Sequence, residues 1–405
     1  MFRTIFAALA CSVLLTAQTA HKLVVISIDG LDARLLSEPA LRVKAPNLRR
    51  LLREGASATV IGVTPSDTWP AHASLVTGVA PWHHGVLKND LTASAFRVST
   101  LWDVAGAKGL KTAAVYWPAT LDAKLTFNLP QLQEAVKGNS ATFDNIAQKA
   151  VPAGLTALIE RRVPSFAKEI WTDASSAQAA ISLLTVEKPD LLFVHFAELD
   201  AEEHETGARS IYAREILEND DDLLGQVLAK VPPGTVVSVV SDHGFENGNR
   251  TVRPRVMLRQ AHVNGRVEVA DGLIGTPDAA AAAEFRKLLA EGRKWGLARE
   301  VPMAEVRAKA PSHARWVAAF DTLPDFVASD EDRGPAVGAG SHLGVHNIWP
   351  NRPAYRTVFL LTGPGVAPRK LGEIDMLQIA PTLADASGLK LPASKAASLW
   401  KQIAQ

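Results

Sequence analysis

Leu23-Val24-Val25-Ile26-Ser27-Ile28-Asp29-Gly30 is the stretch that decides the fold: a short, β-rich apolar run that ends abruptly on a carboxylate and a glycine. Runs of the same kind recur at residues 112–116, 191–196, 235–240 and 357–361. Helix-compatible stretches lie between and around them at residues 45–55, 101–109, 174–186, 208–230 and 278–291, the last two rich in Ala, Leu, Glu and Arg. The alternation predicts an α/β chain, with a mostly parallel central sheet covered by helices on both faces. Val231-Pro232-Pro233-Gly234 punctuates one passage from helix to buried strand. Residues 248–335 are expected to form a smaller inserted subdomain that helps set substrate choice, leaving residues 21–247 and 336–405 as the core. No internal repeat is present.

Asp29 and Asp242 each stand one or two residues beyond a buried run. Open α/β sheets place their ligand chemistry there, at the carboxyl ends of strands. An aspartate after a strand is also a common turn or helix cap, so Asp29 alone decides nothing. Asp242-His243 says more, because two adjacent polar side chains at the end of a buried strand demand partners. Three further segments supply the same chemistry: Asp67-Thr68-Trp69-Pro70-Ala71-His72, Asp200-Ala201-Glu202-Glu203-His204 and Gly340-Ser341-His342. Asp200 and His204, four apart, share one face of a helix.

Taken together these residues make two oxygen- and nitrogen-rich shells. Asp200, His204 and His342 surround one divalent cation, and Asp29, Asp242, His243 and Thr68 the other, each with room for a substrate oxygen. Two such ions about 4 Å apart clamp the attacking and leaving oxygens of an in-line phosphoryl displacement. The mixed His/Asp shells favour zinc. Thr68 is the expected nucleophile, its hydroxyl made reactive by a neighbouring dication. Pro70 and the helix-compatible residues 71–76 put Thr68 at a helix start, where backbone N–H groups face a phosphoryl oxygen. Ser66 is the poorer candidate, because the aromatic-proline segment follows Thr68.

These segments resemble the alkaline phosphatase superfamily, and most closely its nucleotide pyrophosphatase/phosphodiesterase branch. The resemblance is carried by Thr68-Trp69-Pro70-Ala71-His72 followed by Leu75-Val76-Thr77-Gly78, and by the order of all five motifs across nearly the whole chain after residue 21. It implies that Asn89, in His84-Gly85-Val86-Leu87-Lys88-Asn89, donates its amide to a phosphoryl oxygen. It also implies a phospho-threonine intermediate, a preference for phosphodiesters or pyrophosphates, and a closing segment at Ile374-Asp375-Met376-Leu377 and Ala380-Pro381-Thr382-Leu383. His195 stands where nucleotide-cleaving relatives carry a base-stacking tyrosine, and with Trp69 it is the expected substrate contact. The family's last motif usually reads G-x-H-G. Leu343 separates His342 from Gly344 here, which keeps His346 as the alternative ligand.

Around these positions the expectations are plainer. His72 is read as a hydrogen-bonded structural histidine, His83 and His84 as loop residues, and Glu202, Glu203 and Glu205 as solvated charges. Asp67 would cap the helix or orient Thr68. Two rival functions share the pattern: a phosphomonoesterase, or a phosphonate or sulfate ester hydrolase, on the same scaffold, and a non-catalytic binding protein that retained the fold. Comparing a diester with a monoester separates the first, and metal content separates the second.

Composition agrees with a small-molecule enzyme. With 405 residues, 47% hydrophobic and 21% charged, the chain can bury a sizeable core, and a net charge of +1 argues against a nucleic-acid surface built on bulk charge. Met1-Phe2-Arg3, the apolar residues 5–15 and the small residues 17–20 read as an export signal at residues 1–20, implying a secreted or periplasmic protein. The apolar stretch is short of the ~20 residues that span a bilayer, so no stable membrane span is expected once the signal is removed. The single cysteine, Cys11, lies in that segment. The mature chain therefore forms no disulfide and lacks the cysteine that many sulfatases use as nucleophile precursor.

Overall fold

The computed structural model describes residues 22–352 and 355–404; the expected export segment lies outside the described residues. Eight strands form the central sheet: β1 (Lys22–Ile28), β2 (Ala56–Ile61), β3 (Thr112–Val115), β4 (Phe127–Leu129), β5 (Leu191–Phe196), β6 (Thr235–Val240), β7 (Thr357–Thr362) and β8 (Arg369–Asp375), in the spatial order β8-β2-β7-β6-β1-β5-β3-β4. β7 runs antiparallel to both its neighbours, and every other pair in the sheet is parallel.

Strand periodicity explains why the sheet needs cover on both sides. In β1, Leu23 and Val25 enter one apolar cluster, while Val24, Ile26 and Ile28 enter the other. The first layer is completed by helix α1 (Thr68–Thr77) through Ala71, Leu75 and Val76, and by Leu101, Trp102, Ile379 and Leu383. Helices α2 (Asp173–Ser182) and α4 (Ile211–Leu228) close the opposite face, with Ala177, Ala180, Leu217 and Leu224 pointing inward, and Leu48 and Leu51 of helix Pro46–Glu54 beside them. Side chains at i and i+2 share a face of a strand, so a run apolar at every position can only be buried between two layers. Helix α3 (Glu198–Thr206) follows β5 directly and lies at the carboxyl edge of the sheet.

Residues between β6 and β7 form a second body. Leu297–Val301, Ala318–Thr322, Leu273–Thr276 and Glu268–Ala270 make an antiparallel sheet in that order, against which helix Ala279–Ala290 packs Phe285 and Leu288. A three-stranded sheet of Phe326–Ala328, Arg250–Val252 and Val337–Ala339 adjoins it. The body is tied back to the core by Arg352, which is 7% exposed. Its guanidinium donates to Asp321 Oδ1 (2.9 and 2.5 Å), to Thr322 Oγ1 (2.7 Å) and to Glu246 Oε2 (3.0 Å).

Candidate metal centre

β1, β5 and β6 are adjacent and parallel, so their carboxyl ends deliver the motifs to one place. Asp29 follows β1 immediately, and its N–H donates to the Phe196 carbonyl at the end of β5 (2.9 Å). Asp242 lies two residues past β6, and its Oδ1 accepts from Gly30 N–H at 3.2 Å. Asp200 and His204 project from α3, and Thr68 opens α1. The start of α3 is held from outside: Asp173 accepts from Ala197 N–H (2.7 Å) and Glu198 N–H (2.9 Å), and Glu198 Oε2 accepts from Asp173 N–H (3.1 Å).

Spacing at the centre identifies what these groups can hold. His243 Nε2 is 3.2 Å from Asp242 Oδ2, 3.4 Å from Asp29 Oδ1 and 3.8 Å from Asp200 Oδ1. Asp200 Oδ1 is also 3.7 Å from His204 Nε2 and 3.8 Å from His346 Nε2. These separations are mostly too long for good hydrogen bonds. They suit ligand atoms on a shared cation, since bonds of 2.0–2.1 Å in a tetrahedron set neighbouring ligands about 3.3 Å apart. Two groups of three emerge, Asp200 with His204 and His346, and Asp29 with Asp200 and His243.

Among the described residues, Asp29 Oδ1, Asp200 Oδ1, Asp242 Oδ2 and both ring nitrogens of His243 are buried without a hydrogen-bond partner. Unpaired buried carboxylates are strongly unfavourable, and a bound dication is the partner that removes the cost. Burial, then the Asp200 charge, pushes Asp29 well above the usual carboxylate range, and burial followed by Asp29 does the same to Asp242. Burial also holds His243 and His346 below the ordinary imidazole range, so both offer lone pairs. Two imidazoles are oriented by carbonyls that can only accept: His346 Nδ1–H donates to Ser66 O and His204 Nδ1–H to Gly344 O, each at 3.2 Å. Each Nε2 is thereby left for a metal.

The last motif differs from the expected assignment. His346 joins Asp200 and His204, whereas His342 is exposed and outside both groups. Strand Gly344–Val345 pairs antiparallel with Glu246–Asn247, in the register Gly344 with Asn247 and Val345 with Glu246. Continuing that register sets His346 beside Phe245, with ring centroids 5.5 Å apart, and carries His342 outward past Gly248.

Thr68 is 8% exposed at the start of α1, and Asn89 Oδ1 accepts from Trp69 N–H at 2.9 Å, which leaves the Asn89 amide N–H groups for another acceptor. His72 is a fully buried structural histidine: Nδ1–H donates to the Thr68 carbonyl and Nε2 accepts from Ser27 Oγ, each at 2.8 Å. Asp67 makes no side-chain cap to α1. Trp69 is not an open aromatic wall, because it is 4% exposed and packed on Ala73, Val86 and Ala119. His195 is likewise buried, with Nε2 at 3.0 Å from Asp29 Oδ2, and it also borders a cavity lined by Tyr116, Trp171 and Glu198. Glu203 is fully buried where solvation was expected. Its Oε1 accepts from Arg209 N–H at 2.8 Å, and burial pushes its carboxyl well above the usual range.

Residues 23–318 match the family described as Type I phosphodiesterase / nucleotide pyrophosphatase. The chain belongs to that family. Among curated relatives, mouse ectonucleotide pyrophosphatase/phosphodiesterase family member 3 is 23% identical over 246 residues, 55% of this chain and 25% of the relative. A venom phosphodiesterase of Macrovipera lebetinus is 25% identical over 247 residues, again 55% of this chain and 25% of the relative. The matched part thus spans about a quarter of those longer phosphodiesterases. Of solved structures, murine ectonucleotide pyrophosphatase/phosphodiesterase 5, in an inactive form in complex with AMP, superimposes with a TM-score of 0.65 at 16% identity, covering 95% of this chain and all of that one. At that identity the likeness is one of fold.

Proposed function

We propose that this phosphodiesterase-family chain is a metal-dependent hydrolase of phosphodiesters or pyrophosphates that works through a phospho-threonine intermediate. The observation that carries the reading is the set of buried, partnerless carboxylate and imidazole atoms at the carboxyl ends of β1, β5 and β6, close to the start of α1. Asp200, His204 and His346 would hold one divalent ion, and Asp29, Asp242, His243 and Thr68 a second, with zinc favoured by the donor types. When bound, such ions neutralise phosphoryl charge and lower the pKa of a hydroxyl beside them.

The protein groups then have defined tasks. Thr68 Oγ1 attacks phosphorus; a P–O bond forms as the bond to the departing alcohol or phosphate breaks, and the Thr68 proton leaves with that group. Asn89 donates an amide hydrogen to a non-bridging oxygen, its own carbonyl held by Trp69 N–H. The first turn of α1 adds backbone dipole to the same oxygen. His72 fixes the Thr68 carbonyl and thereby the helix start. Water next attacks the phospho-threonine, transferring the phosphoryl group to itself and returning the Thr68 hydroxyl. Residues 1–20 would direct the chain to a secreted or periplasmic location; among the described residues no helix is long and apolar enough to cross a membrane.

The test is hydrolysis of a bis-aryl phosphodiester by zinc-loaded protein, beside a chelated control and Thr68→Ala. Activity should disappear on chelation and fall by roughly 10³-fold or more in Thr68→Ala. Undiminished turnover in Thr68→Ala would remove the threonine mechanism.

A further inference from the structure

His195 is the fifth residue of β5, in register with Ser27 of β1, and it is 1% exposed. Its Nε2 lies 3.0 Å from Asp29 Oδ2 and its Nδ1 lies 3.2 Å from the Tyr116 carbonyl. An ionised Asp29 can only accept and is the stronger acceptor of the two, so a neutral imidazole places its single N–H on Nε2 toward Oδ2, and Nδ1 faces the Tyr116 carbonyl without donating to it. The ring is braced edge-to-face on His72 at 4.7 Å. Asp29 thus has one oxygen engaged and the other, Oδ1, partnerless and 3.4 Å from His243 Nε2.

We infer that His195 is a positioning residue: by holding Asp29 Oδ2 it aims Oδ1 at the cation position shared with Asp242 and His243. The inference rests on reading that cluster as a metal site. Groups that orient a ligand in this way typically change metal affinity 10–100-fold when removed. The rival role is substrate contact, since a cavity of about 260 Å³ lined by Tyr116, Trp171, Asp173 and Glu198 also touches His195.

Two variants separate the roles, with zinc titration by calorimetry as the first readout and diester kinetics as the second. His195→Leu removes the donor; one zinc-binding step should weaken ~10–100-fold, and KM should stay within about twofold. His195→Gln carries an amide N–H near the Nε2 position and should restore zinc affinity to within about fivefold of wild type. A His195→Leu protein with wild-type zinc affinity and a raised KM overturns the inference, as does a folded His195→Gln protein more than about tenfold weaker for zinc. If His195→Leu does not fold, the His195→Gln titration decides alone on those same limits. Wild-type protein that binds two zinc ions yet cleaves no diester would sink the phosphodiesterase reading while leaving the His195 titrations decisive; wild type that binds no zinc would sink both.

Discussion

Arg352→Leu should destabilise the protein by about 3–5 kcal/mol, because it removes one side of a buried charge cluster and leaves the other in place. The wild-type guanidinium makes four short hydrogen bonds, three of them to Asp321 and Glu246, which are 2% and 4% exposed. Asp321 Oδ1 keeps the Thr322 N–H at 2.9 Å after the substitution, but Glu246 Oε2 loses its arginine and Oε1 has no partner to begin with. One fully stranded carboxylate and one half-stranded carboxylate set the magnitude, far above the 0–1 kcal/mol of an exposed ion pair. Urea unfolding followed by tryptophan fluorescence suits the measurement, since Trp316 of the inserted body and Trp349, next to Arg352, are buried in one apolar cluster near the clamp. Zinc must be held equal in both samples, since ligand binding itself shifts the midpoint. The decisive companion is Arg352→Leu combined with Asp321→Asn and Glu246→Gln, which removes the stranded charges and should recover at least half of the loss. A single variant within about 1 kcal/mol of wild type, or a triple variant no better than the single, would refute the account.

Metal analysis after dialysis should find about one ion fewer in His346→Ala and no change in His342→Ala, because only His346 faces Asp200 and His204; equal losses, or loss only in His342→Ala, would reverse the assignment. Asp173, buried and facing the Glu198 charge, has its carboxyl raised to about 6. The folded protein therefore holds that proton more tightly than the unfolded chain, so the stabilisation is complete below the unfolded pKa and is lost as pH rises through 6. Relative to Asp173→Asn, wild type should lose about 1–2 kcal/mol between pH 4.5 and 6.5; parallel stability curves for the two proteins would contradict this.

Much of the scaffold was readable locally. Runs that are apolar at successive positions can only be buried on both faces, which marked β1, β5 and β6 and, just past two of them, Asp29 and Asp242. Ala56-Ser57-Ala58-Thr59-Val60-Ile61 carried no such mark, since its small and polar residues resemble a loop, yet it forms β2 between β7 and β8. The antiparallel course of β7 was equally hidden, because a strand's own residues do not state its direction relative to distant neighbours. Gly340-Ser341-His342 and Gly344-Val345-His346 are the same G-x-H pattern twice. The choice between them belongs to the pairing of Gly344–Val345 with Glu246–Asn247, a contact across nearly a hundred residues that no local spacing encodes.

His195 is a different case, for its role was present in the parity of β5. Leu191 and Phe193 enter the apolar layer that includes Ala71 and Trp117, while Leu192, Val194 and Phe196 enter the other. His195 shares parity with Phe193, so its ring must point into the sheet's own packing layer, and a buried imidazole there requires polar partners. Asp29, at the end of the neighbouring strand, and Tyr116, just past β3, are the groups within reach. A tyrosine expected to stack on a base and a histidine that supports a carboxylate can therefore occupy the same place in the chain with opposite consequences. The tyrosine would spend its ring on the substrate, and the histidine spends its Nε2 on Asp29. Substrate selection would then fall to side chains that line the cavity beside His195, and α3 itself supplies Glu198, Glu202 and Glu205 to that lining.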